Sequence, residues 1–179
     1  GDVFMFKLAS PDREFLAKFS LGVTAMTDQA ADGISIANIT KMPDPEIYGT
    51  AEVKKQYFCL SPVCVLGRAG NSHATAAAEA VVDNLFRSVT AKWMSVTGEN
   101  IALRYDRTVD SMVPVPFQIE FVHPEVRMNN MGMTQIPVVM SPFTLTTTNK
   151  VHTAMLELGL GQKNAVGFGM VEEVRKQRF

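Results

Sequence analysis

The apolar run Val3-Phe4-Met5-Phe6-Lys7-Leu8 is short and rich in aromatic and β-branched side chains, which predicts a strand. Ser10-Pro11-Asp12 follows it with a serine at the N-cap, a proline at the first helical position and an acid in the first turn. Phe15, Leu16, Phe19, Val23 and Met26 then recur at helical spacing and share one face, while Gly22 blurs the helix end. Behind Gly33, Ile34-Ser35-Ile36-Ala37-Asn38-Ile39 alternates apolar with polar or small residues, as a strand does. The order to this point is β-α-β. Met42-Pro43-Asp44-Pro45-Glu46, with Gly49 close behind, punctuates the chain as a linker. A domain boundary is expected there, with one domain over residues 1–46 and a second over 47–179.

After the linker, residues 51–66 form a long extended stretch broken at Ser61-Pro62, and Arg68-Ala69-Gly70-Asn71-Ser72 reads as a polar loop. Residues 74–97 carry Val82, Leu85, Phe86, Val89 and Trp93 at helical spacing, with Gly98 as the stop. Strands are expected over 101–105 and 117–122, the second with Phe117, Ile119 and Phe121 on one face and Gln118 and Glu120 on the other. Residues 127–132 read as a hairpin, and residues 135–148 as an extended stretch interrupted by Pro137 and Pro142. Asn149 is placed to cap a short helix bearing Val151, Met155 and Leu158, ended by Gly159, and a last strand covers about residues 168–174.

The order in the second part is therefore β-α-β-β-α-β with hairpin extensions, which predicts an α+β protein of ferredoxin-like (RRM-like) type, two helices on one face of an antiparallel sheet. The first part supplies only half of such a unit. A half unit leaves a sheet edge unpaired, so tandem ferredoxin-like domains are expected, the first incomplete and lacking a leading β-α-β. The absence of an initiator Met agrees with a chain cut from something longer.

Composition narrows the class without naming a function. With 46% apolar and 20% charged residues the chain is an ordinary globular protein. No apolar run approaches the ~20 residues needed to span a bilayer, and the first residues lack a signal peptide's basic region, so a cytoplasmic location away from membranes is expected. Cys59 and Cys64 sit in one extended segment and form neither a redox pair nor a zinc set, so they read as core residues; no metal or cofactor is expected. Seventeen basic against 18 acidic residues leave a net charge of -1, so any polyanion site must be a local patch.

One segment supplies such a patch. Residues 159–169, Gly-Leu-Gly-Gln-Lys-Asn-Ala-Val-Gly-Phe-Gly, hold four of the twelve glycines between a helix and a strand. Glycine reaches positive φ and lets backbone N–H groups approach a phosphate, while Lys163 and Asn164 add a charge and hydrogen-bonding groups. Gly159, Gly161, Gln162, Lys163, Asn164, Gly167 and Gly169 are the candidate binding residues, with Lys163 first among them.

Gly-hydrophobic-Gly, five residues, then Gly-Phe-Gly near the C-terminus resembles the signature loop of the CRISPR-associated repeat-processing endoribonucleases of the RAMP superfamily. Ser10-Pro11-Asp12-Arg13-Glu14-Phe15-Leu16 resembles the family's second helix of the first domain, and Leu60-Ser61-Pro62-Val63 the strand opening its second domain; the helix over 74–97 matches that domain's first helix. The resemblance implies tandem ferredoxin-like domains that bind the repeat of a precursor CRISPR RNA. It also implies cleavage without a metal, by 2′-OH attack on the adjacent phosphate to leave a 2′,3′-cyclic phosphate. Such chemistry needs a proton acceptor, a proton donor and a cation. The family's usual histidine lies in the first helix of the first domain, so the resemblance implies that the catalytic residues fall in the segment expected to be missing.

The remaining polar residues add less. His73 starts a helix, His123 precedes Pro124 at a strand end, and His152, in the first turn of the last helix, reads as a surface residue; none is assigned catalysis. Arg87, Lys92, Arg104, Arg107 and Lys150 read as solvated faces, whereas Arg68 in its polar loop and Arg127 in its hairpin are placed to reach RNA. Lys54 and Lys55 are adjacent on a strand and face opposite ways. Two other readings remain open: a catalytically inactive crRNA-binding subunit working with other effector subunits, and a ferredoxin-like protein-interaction domain with no RNA role. An exposed edge in the first domain would favour a homodimer.

Overall fold

A computed structural model of the protein describes residues 8, 10–25, 51–65 and 75–174. The chain falls into two compact units, Gly1–Pro45 and Glu46–Phe179.

In the first unit the described element is α1, Arg13–Ala25. Its cap is Asp12 and not Ser10: the Asp12 carboxylate accepts the Phe15 N–H at 2.9 Å, while the Ser10 hydroxyl accepts the N–H of Asp12 at 3.1 Å. A carboxylate is the stronger acceptor for an orphan helix N–H, so Pro11 stays ahead of the helix instead of opening it. On the expected apolar face Leu16 and Val23 are half-buried, while Phe15 and Phe19 remain exposed and lean on each other with ring centroids 6.1 Å apart. The strand expected over 34–39, the linker at 42–46 and all but the last residue of the strand expected over 3–8 lie outside the described residues.

The second unit runs β1 Glu52–Cys59, β2 Val63–Cys64, α2 Glu79–Thr97, β3 Leu103–Asp106, β4 Ser111–Pro114, β5 Gln118–Phe121, β6 Arg127–Met131, β7 Thr134–Val139, β8 Phe143–Thr148, α3 Asn149–Leu158 and β9 Val171–Glu173. Four strands make an antiparallel sheet in the order β5-β8-β1-β9. Tyr57 on β1 stands opposite Phe143 on β8 and Glu173 on β9, and Leu145 on β8 opposite Ile119 on β5. The chain passes from β1 through α2 to β5, skipping β8, and from β8 through α3 to β9, skipping β1. Two interlocked split β-α-β units are the ferredoxin-like arrangement, so the expected α+β class holds. β3–β4 and β6–β7 are added hairpins, and β6 and β7 join β2 in a second antiparallel sheet ordered β2-β7-β6.

The core lies where α2 and α3 cover the larger sheet: Tyr57, Leu85, Val89, Ile119, Phe143, Leu145, Val151 and Met155 belong to one buried cluster. On β5 the expected alternation appears, Ile119 buried between exposed Gln118 and Glu120. α2 buries Val81, Leu85, Val89 and Trp93, a row at i, i+4 spacing that leaves Val82 and Phe86 half-buried at its flank. It starts later than its alanine-rich lead suggests, because Thr75 bridges Glu125 and the Ala76 N–H donates to the Pro124 carbonyl at 2.6 Å. Backbone groups committed to a strand cannot also enter a helix. Gly98 ends α2 at φ 74°, its N–H on the Met94 carbonyl.

Three local expectations give way to tertiary context. Pro137 does not interrupt its segment: β7 runs through it, and its carbonyl accepts the Val65 N–H at 3.0 Å, so only the missing donor is lost. Asn149 is the first residue of α3 and not its cap, which is an extended Thr148 without a side-chain capping bond. His152 is buried, with 1% of its surface exposed. Its Nδ1 is 2.7 Å from the Tyr57 hydroxyl and its Nε2 is 2.9 Å from the Val53 carbonyl. A carbonyl only accepts, so Nε2 carries the proton and Nδ1 accepts from Tyr57. Burial holds the imidazole below its ordinary value and pushes the Tyr57 phenol, also facing Glu173, well above its own.

The unfolded chain protonates His152 near its ordinary 6.5 and the folded chain only at lower pH, so the unfolded state binds more protons in that window. The thermal midpoint should therefore fall as pH drops below about 6.5, and His152→Gln should flatten this slope. Tyr57→Phe strands the buried Nδ1 and should cost about 1–3 kcal/mol, measured by urea unfolding at neutral pH.

Candidate functional site

Residues 159–169 connect α3 to β9 through four glycines, all at positive φ: Gly159 at 79°, Gly161 at 75°, Gly167 at 92° and Gly169 at 74°. Gly159 closes α3 with its N–H on the Met155 carbonyl at 2.9 Å. The loop then lies against the turn between β1 and β2. Gly169 N–H donates to the Pro62 carbonyl at 2.8 Å, Gln162 N–H to the Cys64 carbonyl at 3.3 Å, and Leu160 N–H to the Gly169 carbonyl at 2.8 Å. The approach is close enough that a Cβ on Gly161 would overlap the Cys64 carbonyl and one on Gly169 the Leu160 carbonyl, whereas Gly167 has open space around it. Three glycines thus serve contact as well as φ, and Gly167 serves φ alone.

The side facing α2 is filled. Lys92, expected as a solvated surface residue, donates from Nζ to the carbonyls of Gly159 (2.6 Å), Gly161 (3.1 Å) and Leu158 (3.2 Å) and to Asn164 Oδ1 (2.7 Å). Ser88 adds a 2.6 Å hydrogen bond to the Gly161 carbonyl. Asn164 in turn donates from Nδ2 to the carbonyls of Phe168 (2.8 Å) and Leu160 (3.3 Å). Burial brings the Lys92 ammonium down to about 8. No sequence pattern marked this lysine, since its stem belongs to an ordinary helix and its partners lie some seventy residues on.

The outer side of the loop is different. Lys163 is exposed at φ 59°, a left-handed conformation for a residue with a full side chain, and opens the short 3-10 turn Asn164–Val166. Ala165, Val166 and Gly167 continue the exposed ridge, and Gln162 is half-buried beside it. Lys163 has no ion pair among the described residues. The second sheet extends this surface: Gln162 bridges Cys64, Cys64 stands opposite Val138, and Val138 opposite Arg127. Residues paired across antiparallel strands share a face, so Arg127 lies on the Gln162 side, three strand spacings or about 14 Å away. Phe168 covers Cys64, Ile136 and Val138 between them. Arg127 is exposed, and Arg68 and His73 lie outside the described residues. Of the basic candidates, Lys163 and Arg127 are both exposed, Lys163 next to Gln162 in the loop and Arg127 on the Gln162 side of the second sheet, whereas Gly159, Gly161, Gly169 and Asn164 turn inward. Among the described residues no group of three or more His, Cys, Asp or Glu side chains is placed to hold a metal ion, and no helix is long and apolar enough to cross a membrane.

An α+β, ferredoxin-like domain with a glycine loop folded over its first strand turn defines a class, and comparison with known proteins identifies the family. Residues 42–173 match the model of CRISPR associated protein Cas6, C-terminal, so the chain belongs to that family and the resemblance drawn from its loop is borne out. No curated protein sequence matches the chain. Among solved structures, a Cas6-related protein from Pyrococcus furiosus superposes with a TM-score of 0.64 at 18% identity over 94% of this chain and 67% of that one. A CRISPR associated protein Cas6 gives 0.62 at 17% over 93% and 66%, and a RAMP protein binding different RNA substrates gives 0.59 at 17% over 93% and 67%. This chain thus spans about two thirds of those proteins, and at these identities the likeness is one of fold.

The glycines make a graded prediction. Gly169→Ala, which must displace a backbone carbonyl, should destabilise by more than about 2 kcal/mol, and Gly167→Ala, which meets only an unfavourable φ, by about 1 kcal/mol. Thermal midpoints of the two variants measured side by side check the ranking.

Proposed function

We propose that this chain binds CRISPR repeat RNA through exposed Lys163 and Arg127, and that the full protein cleaves precursor CRISPR RNA within its repeats. The cleavage proposed is metal-independent, a ribose 2′-OH attacking the adjacent phosphate to give mature guide RNAs. Membership of the Cas6 family supports the substrate class. The observation that carries the site is Lys163 itself. A left-handed residue with a side chain costs about 1–2 kcal/mol over glycine, and in a loop with glycine at four other positive-φ positions this one carries an exposed ammonium. An ammonium at a loop apex, without a protein carboxylate to neutralise it among the described residues, suits a phosphate.

The described residues carry no catalytic assignment. His152, the histidine nearest in sequence to the loop, is neutral, buried and bonded through both ring nitrogens, so proton transfer to RNA is not its role.

Binding of a labelled repeat RNA to the wild-type chain, Lys163→Ala and Arg127→Ala across a salt series tests the site. Each substitution should weaken binding by about 1 kcal/mol and lower the slope of log K against log salt by about one phosphate contact. Wild-type binding that is absent or indifferent to salt would sink the RNA reading; unchanged affinity in both variants would move the site elsewhere.

A further inference from the structure

We infer that Lys92 is a positioning residue for RNA binding: its half-buried ammonium gathers the inner oxygens of the glycine loop and thereby holds Lys163 in the left-handed conformation that presents its side chain to phosphate. The inference rests on the RNA-binding reading above and adds to it a residue that does not touch RNA.

One atom spans the whole approach to Lys163. Lys92 Nζ contacts the last turn of α3 at Leu158, its closing residue Gly159, the next turn at Gly161, and Asn164 immediately beyond Lys163. Gln162, on the other side, is fixed by its N–H on the Cys64 carbonyl. Lys163 is therefore held between two anchored neighbours while its own side chain stays exposed. Strained φ values persist only where the surroundings over-determine them, and these contacts supply that determination. The environment also suits a cation: three carbonyls, two of them at the C-terminal end of α3 where the helix dipole is negative, and an amide oxygen. An ammonium has three N–H groups and four oxygens lie within 3.2 Å, so no neutral side chain of similar length replaces it. Ser88 secures one of these oxygens independently, but Leu158, Gly159 and the Asn164 side-chain oxygen depend on Lys92 as donor among the contacts described.

Without that donor the loop samples other conformations, and apparent affinity falls by the fraction of time spent in the competent one. A loop competent about a tenth of the time binds about tenfold more weakly. Truncation also leaves a cavity of known shape, since Lys92→Ala removes three methylenes and the amine, the atoms of propylammonium.

The experiment measures two quantities on the wild type and Lys92→Ala: affinity for labelled repeat RNA, and the rate at which trypsin cuts after Lys163, read by mass spectrometry. The result expected is roughly tenfold weaker RNA binding with faster cleavage after Lys163. Propylammonium should restore both, while 1-propanol and sodium chloride at matched concentration should not. Lys163→Ala, which opens no internal cavity, should gain no affinity from the amine. Should Lys92→Ala fail to fold, Lys92→Met keeps an unbranched apolar stem of similar length, with sulfur in place of Cδ and no ammonium, and carries the RNA and trypsin measurements. Wild-type affinity and wild-type cleavage in the Lys92 variant would overturn the inference while leaving the RNA reading intact. Absence of RNA binding by the wild type would overturn the RNA reading and the positioning role together, and the trypsin rates would then report only whether Lys92 holds the loop.

Discussion

A half-buried ammonium bound to the oxygens of a loop is the constraint that ties the glycine loop of this domain to α2. Taking a cation out of water costs several kcal/mol unless the protein replaces its hydration, and Lys92 finds three carbonyls and an amide oxygen in place of water. Two of those carbonyls, Leu158 and Gly159, have no other donor among the contacts described, because the last turn of a helix has no further helical N–H groups to satisfy them, while Gly161 also accepts from Ser88. Each side therefore solves the other's problem. α2 is thereby tied to the loop before β9 through Lys92, with Ser88 adding a second bond.

The two sheets give that tie its direction. β1 lies at the centre of the larger sheet, pairing β8 on one edge and β9 on the other, so the loop that precedes β9 must return across the turn leaving β1. The return places Gly169 on Pro62 and Gln162 on Cys64, and Cys64 belongs to the second sheet. One face of that sheet feeds the main core through Val63 and Val139, and the other receives Phe168. In this way a glycine loop, a strand turn and an inserted hairpin are joined, with Gln162 and Arg127 on one side and the small buried cluster under Phe168 between them. A chain whose net charge is -1 has no overall field to attract a polyanion, so RNA binding of the kind proposed needs just such a local arrangement.

Much of the fold was legible in the sequence because it is written in local periodicity. The i, i+4 row of α2, the alternation about Ile119, the break at Ser61-Pro62 and the stop at Gly98 each need only a few neighbouring residues. The β3–β4 hairpin was only half legible, since Ser111–Pro114 is too short and mixed to show a period. Caps were read two residues early at Ser10 in place of Asp12 and one residue late at Asn149 in place of Thr148, because neighbouring polar residues can each cap and backbone geometry chooses. The functional site split in the same way. The glycine spacing and Lys163 stood out as a motif, whereas Lys92 looked like any helix lysine and His152 like any surface histidine.

By itself, then, the sequence determined the kinds and order of the elements, the family to which the glycine loop points, and the residue types available to meet a phosphate. Tertiary structure decided what each polar side chain does. Asn164 became an internal brace, His152 a buried neutral acceptor for Tyr57, Lys92 the loop's anchor, and Arg127 a neighbour of Gln162 across two intervening strands. The reason is physical: an apolar periodicity declares itself within one turn or one strand, but the partner that satisfies a buried donor or charge is supplied by whichever distant segment the topology brings within 3 Å or so.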